Sequence, residues 1–294
     1  MATLSQWVQG ARPRTLPVAV SPVAVGTGAA YALHRTTWGY ALLALVVSLC
    51  LQIGVNYAND YSDGIRGTDE VRVGPIRLVG QGLAEPSNVK VAAMVSFFLA
   101  GLFGFALVAL SQAWLMLPIG ATCVVAAWHY TGGKNPYGYR GLGEVFVFVF
   151  FGLVATLGTM YTQAGRLSWS GLLGAVGVGA LASAILVANN LRDIPTDAQN
   201  GKRTLAVRLG DKGTRRLYYG LVLVSVLAVA GCAVLSPTAL VALAAYLLAY
   251  PLIEVLRSGA TGRALVPVLT GTGRFQLVWS LLMGLGIGSA ALLT

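Results

Sequence analysis

Acidic residues are scarce in this chain, ten among 294 positions. Six of them fall in or beside two short stretches. The first runs Asn56-Tyr57-Ala58-Asn59-Asp60-Tyr61-Ser62-Asp63, with Asp69 and Glu70 soon after. The second runs Asn189-Asn190-Leu191-Arg192-Asp193-Ile194-Pro195-Thr196-Asp197. Asn56 and Asp60 are four apart and Asp60 and Asp63 three apart, so one helical face carries all three. Clustered carboxylates repel one another and are costly to desolvate, and a cation between them relieves both penalties. Aspartate with asparagine is a hard-oxygen donor set suited to Mg²⁺. That ion keeps several waters and binds through one or two carboxylates plus phosphate oxygens.

A basic layer follows each stretch: Arg66, Arg72 and Arg77 after the first, Arg192, Lys202 and Arg203 at the second. Guanidinium and ammonium groups match phosphate oxygens. Acids that hold metal beside bases that hold anion point to a metal–diphosphate site. For either stretch the alternative is a helix-terminal acidic cluster neutralised by its neighbours. Pro195 is expected to end its helix near Asp193, so Asp193 and Asp197 need not share a helical face. A third segment, Tyr130 to Arg140, offers Lys134 for phosphate, and Tyr130, Tyr137 and Tyr139 to face a cation or an aromatic ring. Its alternative is an interfacial aromatic belt.

The elements that must position these residues follow from composition. The chain is 56% hydrophobic and 10% charged, with a mean hydropathy of +0.73. Soluble domains carry about 25% charged residues. A bilayer-spanning helix needs roughly 20 mainly apolar residues, and there is room for many. The expected fold is an all-α polytopic membrane protein of about nine spans. They are placed near 16–33, 40–58, 89–110, 113–130, 144–163, 171–190, 217–235, 238–256 and 275–293. With the N-terminus cytoplasmic, eighteen of the twenty Lys and Arg fall on the cytoplasmic side, leaving only Arg35 and Arg166 outside. Both acidic stretches then face the cytoplasm. The net charge of +10 is accounted for by this topology rather than by nucleic acid binding. Cys50, Cys123 and Cys232 lie inside apolar runs without metal-ligand spacing. Glycines at 171, 174, 177 and 179 and at 284, 286 and 288 are read as close helix packing.

Taken together, these residues resemble the UbiA superfamily of intramembrane prenyltransferases. The family's first aspartate motif matches Asn56-x-x-x-Asp60-x-x-Asp63, its second Asp193-x-x-x-Asp197, and its Tyr-x-x-x-Lys element Tyr130 to Lys134. Arg12-Pro13-Arg14-Thr15-Leu16-Pro17, Asn59-Asp60-Tyr61-x-Asp63, Gly67-x-Asp69, Gly74-Pro75-x-Arg77 and Asn200-Gly201-Lys202-x-Thr204-Leu205 resemble the menaquinone-pathway branch.

The resemblance implies a single domain over 1–294, with helices around a central cavity in the cell membrane. Cytoplasmic loops 60–88, 131–143, 191–216 and 257–274 would cap it. It implies that a polyprenyl diphosphate, itself lipid-like and entering from membrane lipid, binds through Mg²⁺ on Asp60, Asp63, Asp193 and Asp197. Asn56, Asn59, Asn190 and Asp69 would support, and Arg66, Arg77, Lys134, Arg192 and Lys202 would hold diphosphate. Tyr130, Tyr137 or Tyr139 would shield the cation or seat the ring. The acceptor it implies is 1,4-dihydroxy-2-naphthoate, prenylated with loss of CO₂ to give demethylmenaquinone. The alternatives are another aromatic acceptor, such as 4-hydroxybenzoate or homogentisate, and a cation-coupled transporter. Transporters place their acids near the midplane on broken helices, whereas these stand at span ends on one side.

Overall fold

A computed structural model describes residues 2–67 and 76–292. Asp69, Glu70 and Arg72 lie outside these residues. No strand occurs among the described residues. The chain opens with a short helix, α1 (Leu4–Gly10), closed by a capping box between Thr3 and Gln6. Then come α2 (Pro17–Tyr31), α3 (Trp38–Gly64), α4 (Pro86–Ser111) and α5 (Met116–His129). Proline in the first turn starts α2 and α4, where its missing N–H costs nothing. The next helix has three parts: α6 (Gly143–Val147), a π-helical turn over Phe148–Val154, and α7 (Ala155–Ala164). It is followed by α8 (Trp169–Gln199) and α9 (Leu205–Leu235), capped by Ser168 and Thr204. A 3₁₀ stretch (Pro237–Ala245) leads into α10 (Tyr246–Arg257), and α11 (Val266–Gly288) completes the bundle.

Seven helical runs are long and apolar enough to cross a bilayer: 38–64, 86–111, 143–164, 169–199, 205–235, 237–257 and 262–292. The other two expected spans coincide with α2, of 15 residues, and α5, of 14. Both are shorter than the roughly 20 residues of a standard span.

Four boundaries differ from the sequence expectation. The loop expected at 60–88 starts later, because α3 continues to Gly64 and carries Asp60 and Asp63 within it. Pro195 does not end its helix, which runs on to Gln199. Asp193 and Asp197 therefore do share a face, four residues apart. The loop expected at 191–216 shrinks accordingly, since α9 begins at Leu205, with Gly210 (φ 68°) breaking its first turns from the rest. The last helix begins before Phe275, at Val266. Its early polar residues lower local hydropathy but are satisfied inside the bundle: Thr272 is fully buried and shares a 2.7 Å hydrogen bond with Tyr218.

Helix α8 is the axis of the bundle, packing along α9 and against α2, α11 and the π turn. Small residues let backbones approach, as expected. A Cβ on Gly177 would stand 2.2 Å from Trp279 Cη2, and one on Gly284 2.5 Å from the Ala24 carbonyl. Large apolar side chains point outward on every long helix, among them Phe98, Leu223, Leu247 and Leu285. In water that surface is a liability, whereas in lipid it costs nothing.

Candidate active site

Helices α2, α3, α4, α5, α8 and the α6–α7 run surround one cavity of about 560 Å³. Most of its wall is apolar. Its polar end gathers Arg12, Thr15, Asn56, Asn59, Asp63, Arg77, Tyr130, Tyr139, Asn190, Arg192, Asp197 and Lys202. The two acidic stretches and the tyrosine segment, far apart in sequence, therefore meet at one place.

Asp63 is the centre of this end. It is 3% exposed. Lys202 Nζ stands 3.2 Å from its Oδ2 and Arg77 at 3.9 Å. The Tyr139 hydroxyl donates to its Oδ1 at 2.5 Å. The Lys202 ammonium also lies 4.6 Å above the Tyr139 ring. The loop after the second stretch is held so that Lys202 reaches across: its backbone N–H donates to the Asp197 carbonyl at 2.8 Å. Gly141 (φ 73°) anchors the tyrosine segment to that loop, since a Cβ there would meet the Leu205 nitrogen at 3.2 Å.

The four expected metal-holding aspartates divide into two layers. Asp63 and Asp197 line the cavity. Asp60 and Asp193 stand behind its wall. Asp60 accepts from the backbone N–H groups of Leu78 and Val79, at 2.8 and 3.1 Å. This grip seats the segment carrying Arg77. Asp193 receives the fork of Arg192, Nε to Oδ1 at 2.7 Å and Nη2 to Oδ2 at 2.8 Å. Arg192 also donates to the Asn189 side-chain oxygen at 2.9 Å. Among the described residues no three His, Cys, Asp or Glu side chains converge as a ready-made metal cage. Asp63 and Asp197, both on the cavity wall, are hard-oxygen groups of the kind Mg²⁺ takes one or two at a time beside substrate oxygens.

The remaining expected residues separate clearly. Asn59 accepts from Thr131 Oγ1 at 2.7 Å. Asn56 donates to the Ala11 carbonyl and to Thr15 Oγ1, joining α3 to the α1–α2 connection. Asn190 donates to the buried Glu144 carboxylate at 2.9 Å. The Tyr137 ring stacks on Phe146 at 3.9 Å, meets Tyr130 edge-on, and donates its hydroxyl to the Ala126 carbonyl. Burial pushes the Tyr137 phenol well above its ordinary pKa, with the nearby Cys123 adding to the effect. Lys134 is exposed and does not line the cavity. Arg66 is also outside the wall. Its guanidinium is held by the carbonyls of Thr131 and Gly133, and it braces the tyrosine segment over the Tyr139 ring.

Arg12, Thr15, Gln52, Glu144 and Thr204 were not singled out as site residues, yet the structure places them in or against this end. Arg12 acts on Asp60 through its charge and has a left-handed backbone (φ 56°). A non-glycine residue held at positive φ is uncommon, and such strain concentrates at functional sites. The signal was there in part, since Arg12 and Thr15 sit in the Arg-Pro-Arg-Thr run.

The arrangement can bind an anion, place oxygen ligands for a divalent cation beside it, and continue into an apolar chamber. Known proteins are similar to the chain in sequence and in fold. The UbiA prenyltransferase family model matches residues 19–266. The chain is 58% identical over 281 residues to a 1,4-dihydroxy-2-naphthoate octaprenyltransferase of Mycobacterium tuberculosis (strain ATCC 25618 / H37Rv), covering 96% of each chain. It is 41% identical over 230 residues to the Escherichia coli (strain K12) protein of the same name, covering 76% of this chain and 75% of that one. A solved UbiA homolog from Archaeoglobus fulgidus bound to GPP and Mg²⁺ shares the fold at 14% identity, with a TM-score of 0.66, covering 95% of this chain and 99% of that one. Likeness in sequence over nearly the whole chain thus agrees with likeness in fold, and the chain belongs to the UbiA prenyltransferase family.

Proposed function

We propose that this membrane protein transfers a polyprenyl group from polyprenyl diphosphate to 1,4-dihydroxy-2-naphthoate, releasing pyrophosphate and CO₂ in menaquinone biosynthesis. The observation that carries the reading is the polar end itself. Two cavity-lining carboxylates, Asp63 and Asp197, face four cations, Arg12, Arg77, Arg192 and Lys202, at one end of an apolar chamber. The relatives named above are 1,4-dihydroxy-2-naphthoate octaprenyltransferases, and their likeness supports the naphthoate as acceptor.

In this reading Asp63 and Asp197 would hold Mg²⁺, and Asp60 and Asp193 keep the neighbouring cations in register. Bound Mg²⁺ supplies Lewis-acid neutralisation of the diphosphate, so that the allylic C–O bond breaks more easily. Lys202, Arg77, Arg192 and Arg12 take up the charge on the leaving pyrophosphate, as preorganised donors in a site of low dielectric. The Tyr130 and Tyr137 rings face the chamber next to that charge and shield the allylic cation from water. The ring carbon bearing the carboxylate attacks that cation. A C–C bond forms, CO₂ leaves with its bonding pair returned to the ring, and the product is the prenylated diol, the reduced form of demethylmenaquinone. Arg66 and Lys134 support the donor from outside the wall, and Asp69 is assigned a supporting role with them. In this reading the polar end faces the cytoplasm, which the positive-inside count supports, and the two shorter helices α2 and α5 complete nine spans of a cell-membrane enzyme.

The test is direct. Purified protein in nanodiscs receives the naphthoate and a polyprenyl diphosphate, with Mg²⁺ or with EDTA, and the products are read by mass spectrometry. A prenylated naphthalenediol or naphthoquinone that disappears with EDTA is the expected result. Pyrophosphate release with 4-hydroxybenzoate or homogentisate alone would replace the acceptor and keep the site. No turnover with any acceptor would overturn the enzyme reading.

A further inference from the structure

Glycine in a packed helix has two uses: it lets a neighbouring backbone approach, or it leaves space empty. This chain separates the two. At Gly28, Gly152, Gly177 and Gly284 an added Cβ would collide with a neighbouring helix at 2.1–2.5 Å. These four close the bundle. Gly101 and Gly104 of α4, Gly120 of α5 and Gly158 of α7 are of the other kind. All four line the cavity, from three different helices. A Cβ meets nothing within 4 Å at Gly101 or Gly120, only Val47 Cγ2 at 3.9 Å at Gly104, and only Met116 Sδ at 3.7 Å at Gly158. No neighbouring helix requires glycine there, and each position forgoes up to about 1 kcal/mol of helix propensity relative to alanine.

Their place in the chamber gives the reason. Val47, the neighbour of Gly104, is about 24 Å along α3 from Asp63 at 1.5 Å per residue. Gly158 lies on the same remote side, beside Met116, the first residue of α5, whereas Tyr130 at the other end of α5 lies at the polar end. The glycines therefore widen the apolar chamber far from the diphosphate, where the tail of a donor would lie.

We propose that these glycines set the length of isoprenoid tail the enzyme accepts. Gly104 and Gly158 hold the remote end open for donors whose tails run past the α4–α5–α7 wall. This inference rests on the prenyl-diphosphate reading above. A bulky side chain at either position fills space that a short geranyl tail never reaches and a long polyprenyl tail must occupy.

The experiment is a competition between geranyl diphosphate and a long-chain polyprenyl diphosphate with one acceptor and Mg²⁺, with product ratios read by mass spectrometry. Gly104→Ala, Gly104→Phe and Gly158→Phe form the series. Gly220→Phe on α9 is the control, since it too has nothing within 4 Å and lies outside the cavity wall. Both phenylalanine variants are expected to retain the geranyl reaction and to lose long-chain product by about tenfold or more, the effect of denying burial to even two methylenes. Gly104→Ala should fall between them and the parent, and Gly220→Phe should match the parent. An unchanged ratio in both phenylalanine variants would overturn the inference. So would loss of the geranyl reaction, because the polar end should be untouched. A parent protein that uses neither donor would overturn the prenyl-transfer reading instead.

Discussion

Lys202 Nζ stands 3.2 Å from Asp63 Oδ2, with both side chains nine-tenths or more shielded from solvent. The pair joins the loop after one acidic stretch to the helix that carries the other. It also neutralises a carboxylate that is only 3% exposed. Removing one partner of a buried pair costs up to about 3–5 kcal/mol, and here Arg77 and the Tyr139 hydroxyl remain to offset part of the loss at Asp63. Lys202→Met is therefore expected to lower thermal stability and to cut kcat/KM for the donor by 100-fold or more, as about 3 kcal/mol corresponds to more than two decades. Lys202→Arg, which keeps the charge, should recover stability more than activity. Melting curves and steady-state kinetics on the two variants check this.

Tyr139→Phe isolates one contact. It removes the hydroxyl that donates to Asp63 Oδ1 and leaves the ring under the Lys202 ammonium. A hydrogen bond to a charged group contributes about 1.5–3 kcal/mol. The expected outcome is a loss in kcat/KM of about 10–100-fold with little change in expression or insertion. Activity equal to the parent would show that this bond does not shape the site.

The two layers of aspartates should respond differently to metal. Asp63→Asn and Asp197→Asn remove carboxylates from the cavity wall and are expected to raise the Mg²⁺ concentration for half-maximal activity sharply, or to abolish turnover. Asp60→Asn keeps the wall and disturbs the grip on the Leu78 and Val79 amides. It should raise KM for the diphosphate, through Arg77, while leaving the Mg²⁺ midpoint nearly in place. Mg²⁺ titrations at saturating donor separate the two cases.

Packing at the bundle axis gives a fourth test, independent of chemistry. Gly177→Leu drives a side chain into Trp279, whose ring atom already stands 2.2 Å from the nearest Cβ position. Overpacking costs typically 1–3 kcal/mol and more where nothing can move. Loss of folded protein in detergent, seen as a collapsed gel-filtration peak, is expected for Gly177→Leu and not for Gly220→Leu.

Much of this was legible in the residues. Acids are rare enough here that two groups of them stand out, and the apolar runs mark the long helices. What escaped is long-range or local in conflict with the whole. Thr15 accepts from Asn56 and Gln52, a pairing between the α1–α2 connection and α3 that no spacing rule encodes. Pro195 reads locally as a stop, yet α8 passes through it, because packing on α9, α2 and α11 outweighs one lost backbone bond. Lys134 matches a motif by spacing, but its loop turns it outward while Lys202 occupies the cavity. The start of α11 was missed because Thr270 to Arg274 look too polar for a membrane helix, and hydropathy cannot see that Thr272 has a partner in Tyr218.

The π turn at Phe148–Val154 has a consequence for how this wall can vary in length. An i→i+5 turn stores surplus chain inside an otherwise regular helix. Deleting one residue from that turn lets it relax to an α turn, and Gly158 and Thr159 keep their bearing on the chamber. The same deletion made within α7 swings every later residue by about 100° and turns that face into the lipid. The π segment is thus a slack link, the place in this helix where loss of a residue spares the wall beyond it.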